Sequence, residues 1–331
     1  MRIGILGAGN MGQTHARAYA NMRGVEIAAI VGRREPRVRV VADQFGVTAL
    51  TDPWKVLDDD SIDAIDVCYP SSVHREVAVA ALERGKHVFC ETPIALNIED
   101  ADAMIEAARA HDRILMVALL MRFVADNVYV HDVVVSGELG RPFTAFANRR
   151  SASYWSRKQL AEQVYAEPVI ELGNFDFDYL NWLFGVPTAV FGTGIVGATG
   201  VAEHAFISLE FDGVRGLVEV SAMMPRSFPF STSVRVVCEE GALEFSFRFA
   251  GKPENTRPES TLTRYPKDGQ AEVLDIPRHD PYEEECRYFV QCVRGEADPS
   301  LLSPDAARDA LRVALAARES LARGGERVML T

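Results

Sequence analysis

Ile3-Gly4-Ile5-Leu6-Gly7-Ala8-Gly9-Asn10-Met11-Gly12 sets an apolar strand against three glycines at G-x-G-x-x-G spacing, and a helix-like run, 13–22, follows. In the order strand, glycine turn, helix, each glycine has its own use. Gly7 allows the tight turn, Gly9 the close backbone approach to a pyrophosphate, and Gly12 the packing of the helix. The helix start at Asn10 and Met11 then offers unpaired N–H groups and a partial positive charge to the phosphates. The second strand and its end read Val25-Glu26-Ile27-Ala28-Ala29-Ile30-Val31-Gly32-Arg33-Arg34, without the acid that NAD-binding chains place on the ribose 2′-hydroxyl. Gly32 leaves room for a 2′-phosphate, and Arg33 or Arg34 can hold it through charge-assisted hydrogen bonds worth roughly 1.5–3 kcal/mol each. The expected cofactor is NADP(H), favoured over NAD(H).

Downstream, helical runs at 36–45, 52–57, 74–84 and 97–111 alternate with strands at 47–50, 64–68, 87–90 and 114–118, the pattern of a doubly wound parallel sheet covered on both faces. A first domain, 1–120, is expected to close there. The remainder, 121–331, has another texture: short alternating or aromatic-rich segments at 143–148, 188–196, 205–211, 216–222, 233–238, 242–247 and 272–276. These predict an open, mainly antiparallel sheet, framed by helices at 171–184 and 281–294. A last helix, 304–322, opens on Ser303-Pro304-Asp305 and is a candidate to pack back on the first domain. The stretch 251–269, rich in Pro, Lys and Thr, reads as a hairpin tip or loop. The fold class is α/β, a Rossmann sheet followed by an α+β domain.

A chain of 331 residues calls for two cores. Its net charge of −12 repels nucleic acid and anionic membranes, so neither is an expected partner. No segment approaches the ~20 apolar residues of a membrane span, and Met1-Arg2 leads into a strand instead of a secretory h-region; a cytoplasmic location is expected. The cysteines Cys68, Cys90, Cys238, Cys286 and Cys292 lack C-x-x-C spacing, and His87, His111, His131, His204 and His279 lack ligand spacing. No metal is expected.

Further motifs accumulate: Asp66-Val67-Cys68-Tyr69-Pro70 followed by His74, Glu83-Arg84-Gly85-Lys86-His87-Val88-Phe89-Cys90-Glu91-Thr92-Pro93, Arg122-Phe123, Ser136-Gly137-Glu138-Leu139-Gly140, and Glu171-Leu172-Gly173 through Trp182-Leu183-Phe184-Gly185. With the glycine turn, these resemble the glucose-fructose oxidoreductase and inositol dehydrogenase (Gfo/Idh/MocA) family over nearly the whole chain. The resemblance implies a Rossmann domain, a C-terminal domain whose open sheet often serves oligomer contacts, and a substrate pocket between the two. It implies redox chemistry on sugars, cyclitols and related small polyols with NAD(P), in a homodimer or homotetramer. Tyr69 and Pro70, where the fourth strand ends, are expected at the nicotinamide, with His74, Glu91 and Pro93 in the same cofactor set. Arg122 is expected to order the substrate cleft.

Departures fall where the chemistry belongs. The family's Glu-Lys-Pro is here Glu91-Thr92-Pro93, and the lysine that usually moves the proton is lost; a threonine hydroxyl hydrogen-bonds but does not titrate near neutrality. The family's Asp, three residues, His is here Glu171 and Phe175, and Glu167-Pro168 replace glycines upstream. A positioned acid or base contributes about 10²- to 10⁴-fold, so hydride transfer can outlast its loss, most easily at an activated acceptor such as an iminium carbon. Tyr165, Tyr154, Tyr69, Glu171 and Asp176 are candidates to take the role, with Tyr165 favoured. The expected site is thus Glu171, Thr92 and Tyr165 as catalytic residues and Glu91, Arg122, Phe175 and Asp176 around substrate. Loss of Lys and His beside retained acids predicts a preference for neutral or cationic ligands. The expected function is NAD(P)-dependent hydride transfer to or from a small sugar-like, amino-sugar or imine-bearing metabolite. The alternatives are an inactive dinucleotide-binding sensor or scaffold, or a redox-neutral enzyme with tightly held NAD(P).

Overall fold

The computed structural model describes residues 1–152, 164–197, 200–250 and 257–330. The first sheet is built from β1 (Arg2–Leu6), β2 (Glu26–Val31), β3 (Thr48–Leu50), β4 (Ala64–Val67), β5 (His87–Cys90) and β6 (Leu115–Val117), all parallel, in the order β3-β2-β1-β4-β5-β6. Helices α1 (Asn10–Ala20), α2 (Glu35–Phe45), α3 (Trp54–Leu57), α4 (His74–Glu83) and α5 (Ile98–Ala110) make the crossovers. Ile3, Ile5, Leu6, Ile65, Val67, Val88 and Phe89 have no solvent exposure, as strands covered on both faces require. Strand order reverses between β1 and β4, and ligands of such sheets bind outside the carboxyl ends at that switch point.

The second sheet runs β14-β13-β12-β11-β7-β10-β9-β8-β15. Its strands are β7 (Pro142–Arg150), β8 (Ala189–Val196), β9 (Ala202–Glu210), β10 (Arg215–Ser221), β11 (Ser231–Cys238), β12 (Gly241–Ala250), β13 (Arg257–Pro266), β14 (Glu272–Leu274) and β15 (Val328–Met329). The β7–β10 pair is parallel and the other pairs are antiparallel. The described residues also form helices α6 (Ala125–Ser136), α7 (Pro168–Glu171), α8 (Gly173–Phe184), α9 (Pro281–Val293) and α10 (Pro304–Ala322).

Three differences from the sequence reading have physical causes. Part of the expected loop 251–269 is β13, paired with β12 from Arg257 to Pro266; it buries Leu262 and Thr263, while its remaining residues are polar enough to hide the alternation. The expected helix 171–184 steps at Leu172, and at Gly173 beside it a Cβ would stand 2.9 Å from Phe177 and 3.2 Å from Val220, so only glycine fits there. Helix α6 was not among the expected elements: its five valines are weak helix formers, although Gly137, at φ 73°, is an ordinary helix stop.

The chain forms two compact units, Met1–Phe123 with His279–Arg308, and Val124–Arg278 with the chain from Asp309 on. A boundary at 120 therefore misassigns 279–308, which return to the first unit. There α9 packs on α1, capped by Asp280, whose carboxylate accepts from the Tyr282 and Glu283 amides. Helix α10 starts in the first unit, where Asp305 meets Arg109 at 2.9 Å and Arg308 meets Asp102 of α5, and continues in the second.

Candidate functional site

The glycine turn of the first unit is sterically obligatory. A Cβ on Gly7 (φ 144°) would lie 2.5 Å from the Cys68 carbonyl oxygen, and one on Gly12 would lie 1.9 Å from the Gly7 carbonyl oxygen. At Gly9 nothing stands within 4 Å, and as the N-cap of α1 it contributes no side-chain cap. The turn thus presents a bare helix N-terminus, at Asn10, Met11 and Gly12, to open space at the sheet's switch point, a cradle that fits a dinucleotide pyrophosphate. Gly12 packs on the turn itself rather than on the strand. At the end of β2 Gly32 is a correction: it is buried, its amide donates to the Leu50 carbonyl, and a Cβ on it would meet Val38 at 3.0 Å and Ala8 at 3.4 Å, so it leaves no room for a 2′-phosphate, whereas Arg33 and Arg34 stand exposed. Arg37, absent from the sequence reading, donates to the Ala8 carbonyl at 3.0 Å and ties α2 to the glycine turn.

Tyr69 and Pro70 follow β4, both half-buried. Burial pushes the Tyr69 phenol up to about 12, with Arg33 opposing and Asp52 adding. His74 is a correction to the cofactor set. It is buried, its Nδ1 3.0 Å from the Pro93 carbonyl and its Nε2 2.9 Å from the Tyr69 carbonyl, so it clamps two backbone segments instead of reaching a ligand. Burial lowers its pKa, and a neutral ring donates to only one of those carbonyls at a time. Arg122 is a second correction. It too is buried and donates to the Leu301 carbonyl at 2.9 Å, within the first unit, so its charge serves the fold. Glu91, Thr92 and Pro93 stand just past the end of β5, with Glu91 and Thr92 half-buried and Pro93 buried.

Behind that strand end lies a cluster the sequence reading missed. His15 of α1 has no exposure; its Nδ1 lies 2.9 and 3.1 Å from the two Asp66 carboxylate oxygens. Its Nε2 lies 3.2 Å from Glu91 Oε1 and 3.9 Å from Glu285 Oε1 of α9. The 3.2 Å approach is an ion-pair distance without hydrogen-bond alignment, and neither Glu285 oxygen has a hydrogen-bond partner among the described residues. The Cys68 thiol donates to Asp66 at 3.1 Å, and Phe89 stacks on the imidazole at 5.5 Å with Phe289 behind it. Burial would strip the His15 proton, but Asp66 and the neighbouring sulfurs of Cys286 and Cys68 outweigh it and hold the pKa well above its ordinary value. Burial drives the Glu285 carboxyl well up, partly opposed by His15. Donor atoms of His15, Cys68 and Glu91, and of His15, Asp66 and Cys286, come within 4.8 Å of one another. These are types a transition metal accepts, but His15 and Asp66 are already engaged with each other, and the arrangement is that of a hydrogen-bonded cluster.

The expected site residues of the second unit are largely closed. Asp176 has no exposure and pairs with Arg149 of β7, at 3.0 Å to Nε and 3.4 Å to Nη2. Burial raises its carboxyl and Arg149 opposes the rise. This corrects its assignment to substrate: a carboxylate held against a guanidinium in the core offers nothing to a ligand. The Arg149 guanidinium also lies 4.7 Å from the centre of the Phe175 ring and 5.8 Å from that of Phe230. Of the acids counted around Phe175, Asp176 is thus neutralised by an arginine whose own position in the sequence gave no sign of it, which weakens but does not reverse the expected preference for neutral or cationic ligands. Glu171 is buried and accepts the Ala166 amide at 2.8 Å. Tyr165 and Phe175 are half-buried, and Tyr154 lies outside the described residues.

Residues 1–119 match the oxidoreductase family model with an NAD-binding Rossmann fold, and residues 128–244 match the C-terminal domain model of the same family. The chain is 27% identical to myo-inositol 2-dehydrogenase of Thermotoga maritima, over 97% of this chain and 96% of the relative. It is 26% identical to scyllo-inositol 2-dehydrogenase (NAD(+)) of Bacillus subtilis, over 98% and 95%. In fold it resembles aldose-aldose oxidoreductase of Caulobacter crescentus, with a TM-score of 0.85 at 20% identity over 100% and 99% of the two chains. No described helix is long and apolar enough to cross a membrane. A parallel sheet with a bare glycine turn at its switch point, a second open sheet and both family models agree: the chain belongs to the Gfo/Idh/MocA oxidoreductase family.

Proposed function

We propose that the protein transfers hydride between NADP(H) and a small sugar-like, amino-sugar or imine-bearing metabolite, without the family's usual Lys/His pair. The observation that carries the reading is the open cradle at Gly9 with Arg33 and Arg34 exposed one strand away. Gly7, Gly9, Asn10, Met11 and Gly12 would hold the pyrophosphate, Arg33 and Arg34 the adenosine 2′-phosphate, and Tyr69, Pro70 and Glu91 to Pro93 the nicotinamide end. The bound cofactor supplies or accepts the hydride. Thr92 orients an acceptor oxygen by hydrogen bonding, and Glu171 and Tyr165 stay proposed as catalytic residues. The sugar-like substrate class follows the inositol dehydrogenases among the relatives.

Titration calorimetry with NADPH and NADH tests the cofactor half. Tighter NADPH is expected; tighter NADH, in line with the NAD(+) in the Bacillus relative's name, overturns the preference, and no heat with either overturns the reading. Oxidation of NADPH by a panel of keto-sugars, aldehydes and cyclic imines tests the rest. Thr92 and Phe175 favour one other reading: cofactor that binds tightly with no panel member turned over marks a sensor, a scaffold or a redox-neutral enzyme. The proposal includes a homodimer or homotetramer, with no nucleic-acid or membrane partner. Phe191, Phe206 and Leu217 stand exposed on the adjacent strands β8, β9 and β10, and light scattering on the eluted protein tests whether the chain is more than a monomer.

A further inference from the structure

His15, Asp66 and Glu285 have no part in the cofactor cradle, and with Glu91 they lie in the first unit. Three carboxyl groups surround one imidazole, walled by Phe89 and Phe289. Such a pocket cannot carry three bare negative charges against one positive one, so it holds protons. The titratable groups facing His15 come from every element packed on it: Tyr19 on its own helix, Asp66 and Cys68 from β4 and its end, Glu91 after β5, Glu285 and Cys286 from α9. His15, Asp66 and Glu285 are sealed from solvent, whereas the Glu91 side chain keeps 13% of its exposure. Glu91 is the outlet, and it adjoins Thr92, where the family's proton-moving lysine is missing.

We propose that Glu91 and His15 together replace that lysine, Glu91 as the catalytic residue that passes the proton and His15, set by Asp66, as the positioning residue that stores it. The inference rests on the oxidoreductase reading. In the reducing direction the imidazolium gives its Nε2 proton to the Glu91 carboxylate across the 3.2 Å gap, and Glu91 gives it to the substrate oxygen. The reduced nicotinamide, when bound, would supply the hydride with its electron pair from its own C–H bond; the substrate's carbonyl π bond would open to the new C–H bond, and the proton passed by Glu91 would complete the O–H bond. His15, left neutral with its Nδ1–H on Asp66, regains a proton from water through Glu91. Oxidation runs the same transfers backward. The unaligned Nε2–Oε1 contact is of the kind that tightens when a site fills.

Two measurements test this. In ¹⁵N-histidine NMR of the cofactor-free protein at neutral pH, His15 is expected as imidazolium, with both nitrogens protonated, and Glu91→Gln is expected to shift its Nε2 resonance and lower its titration midpoint. A His15 that is neutral throughout the neutral range, or indifferent to Glu91→Gln, overturns the proposal. So does one equivalent of bound zinc in the purified protein, which would make the cluster a metal centre. In kinetics, Glu91→Gln is expected to lower kcat about 10²- to 10⁴-fold. His15→Asn is expected to abolish one limb of the pH–rate profile, with exogenous imidazole restoring part of the rate to His15→Ala. Normal turnover by a folded Glu91→Gln variant overturns the relay and leaves the oxidoreductase reading standing; absence of cofactor binding by the unaltered protein overturns that reading instead.

Discussion

The two units each bury a carboxylate next to an aromatic ring, and they treat it differently. In the second, Asp176 faces Arg149, a cation that never releases its proton, and the guanidinium is stacked on Phe175 and Phe230. In the first, Asp66, Glu91 and Glu285 gather around His15, whose charge depends on a proton. One arrangement is fixed in charge and sealed; the other titrates and has an outlet. The acid that reads as a pocket residue in the sequence, Asp176, is paired in the core, and His15, which the sequence reading passed over, stands at the centre of the titrating cluster.

The largest expected effect breaks the fixed pair. Arg149→Met leaves Asp176 buried without its cation and is expected to cost about 3–5 kcal/mol in urea unfolding. Adding Asp176→Leu to it removes the orphaned charge and should recover most of that loss. A single variant within about 1 kcal/mol of the unaltered protein would mean that Asp176 is already neutral and that the contrast between the units is false.

The titrating cluster is expected to be softer. Asp66→Asn keeps the shape but removes the charge that holds the His15 proton, and should cost about 1–3 kcal/mol while dropping the imidazole midpoint toward or below its ordinary value. Histidine NMR together with thermal unfolding checks both parts. An unmoved midpoint would show that Asp66 does not govern the proton.

Local signals explain what the sequence disclosed. Strand β5 and helix α10 match their expected bounds, the first because four residues between charged turns have no other use, the second because Ser303 and Pro304 mark its start. The glycine turn was legible for the same reason: each of its constraints lies within a few residues of the next. The clusters were not. His15 and Asp66 are 51 residues apart, and Glu285 arrives from a segment assigned to the other domain. One signal was present: Asp66 interrupts Ala64-Ile65-Asp66-Val67, a strand buried at every position, and a carboxylate there demands a partner. Arg149, 27 residues before Asp176, gave no comparable sign, since an arginine ending a strand is usually solvated.

The smallest expected effect sharpens the comparison most, because its sign is unusual. Glu285 has its folded pKa well above the ordinary 4.5, so above that pH the folded chain keeps a proton that the unfolded chain releases. Its contribution is full below about pH 4.5 and is lost as pH rises through the folded value. The raised pKa of His15 acts in the same direction, full below about 6.5 and lost on the alkaline side. Glu285→Gln removes the first of these losses without changing shape. At about pH 5 the variant and the unaltered protein should unfold nearly together; on the alkaline side the variant should be the more stable, in thermal or urea unfolding. The corresponding exchange in the other unit, Asp176→Asn, abandons Arg149 and should cost stability at every pH where arginine is charged. If Glu285→Gln instead destabilises the protein across the whole range, Glu285 is held as a charged partner of His15, and the two units bury their acids in the same way.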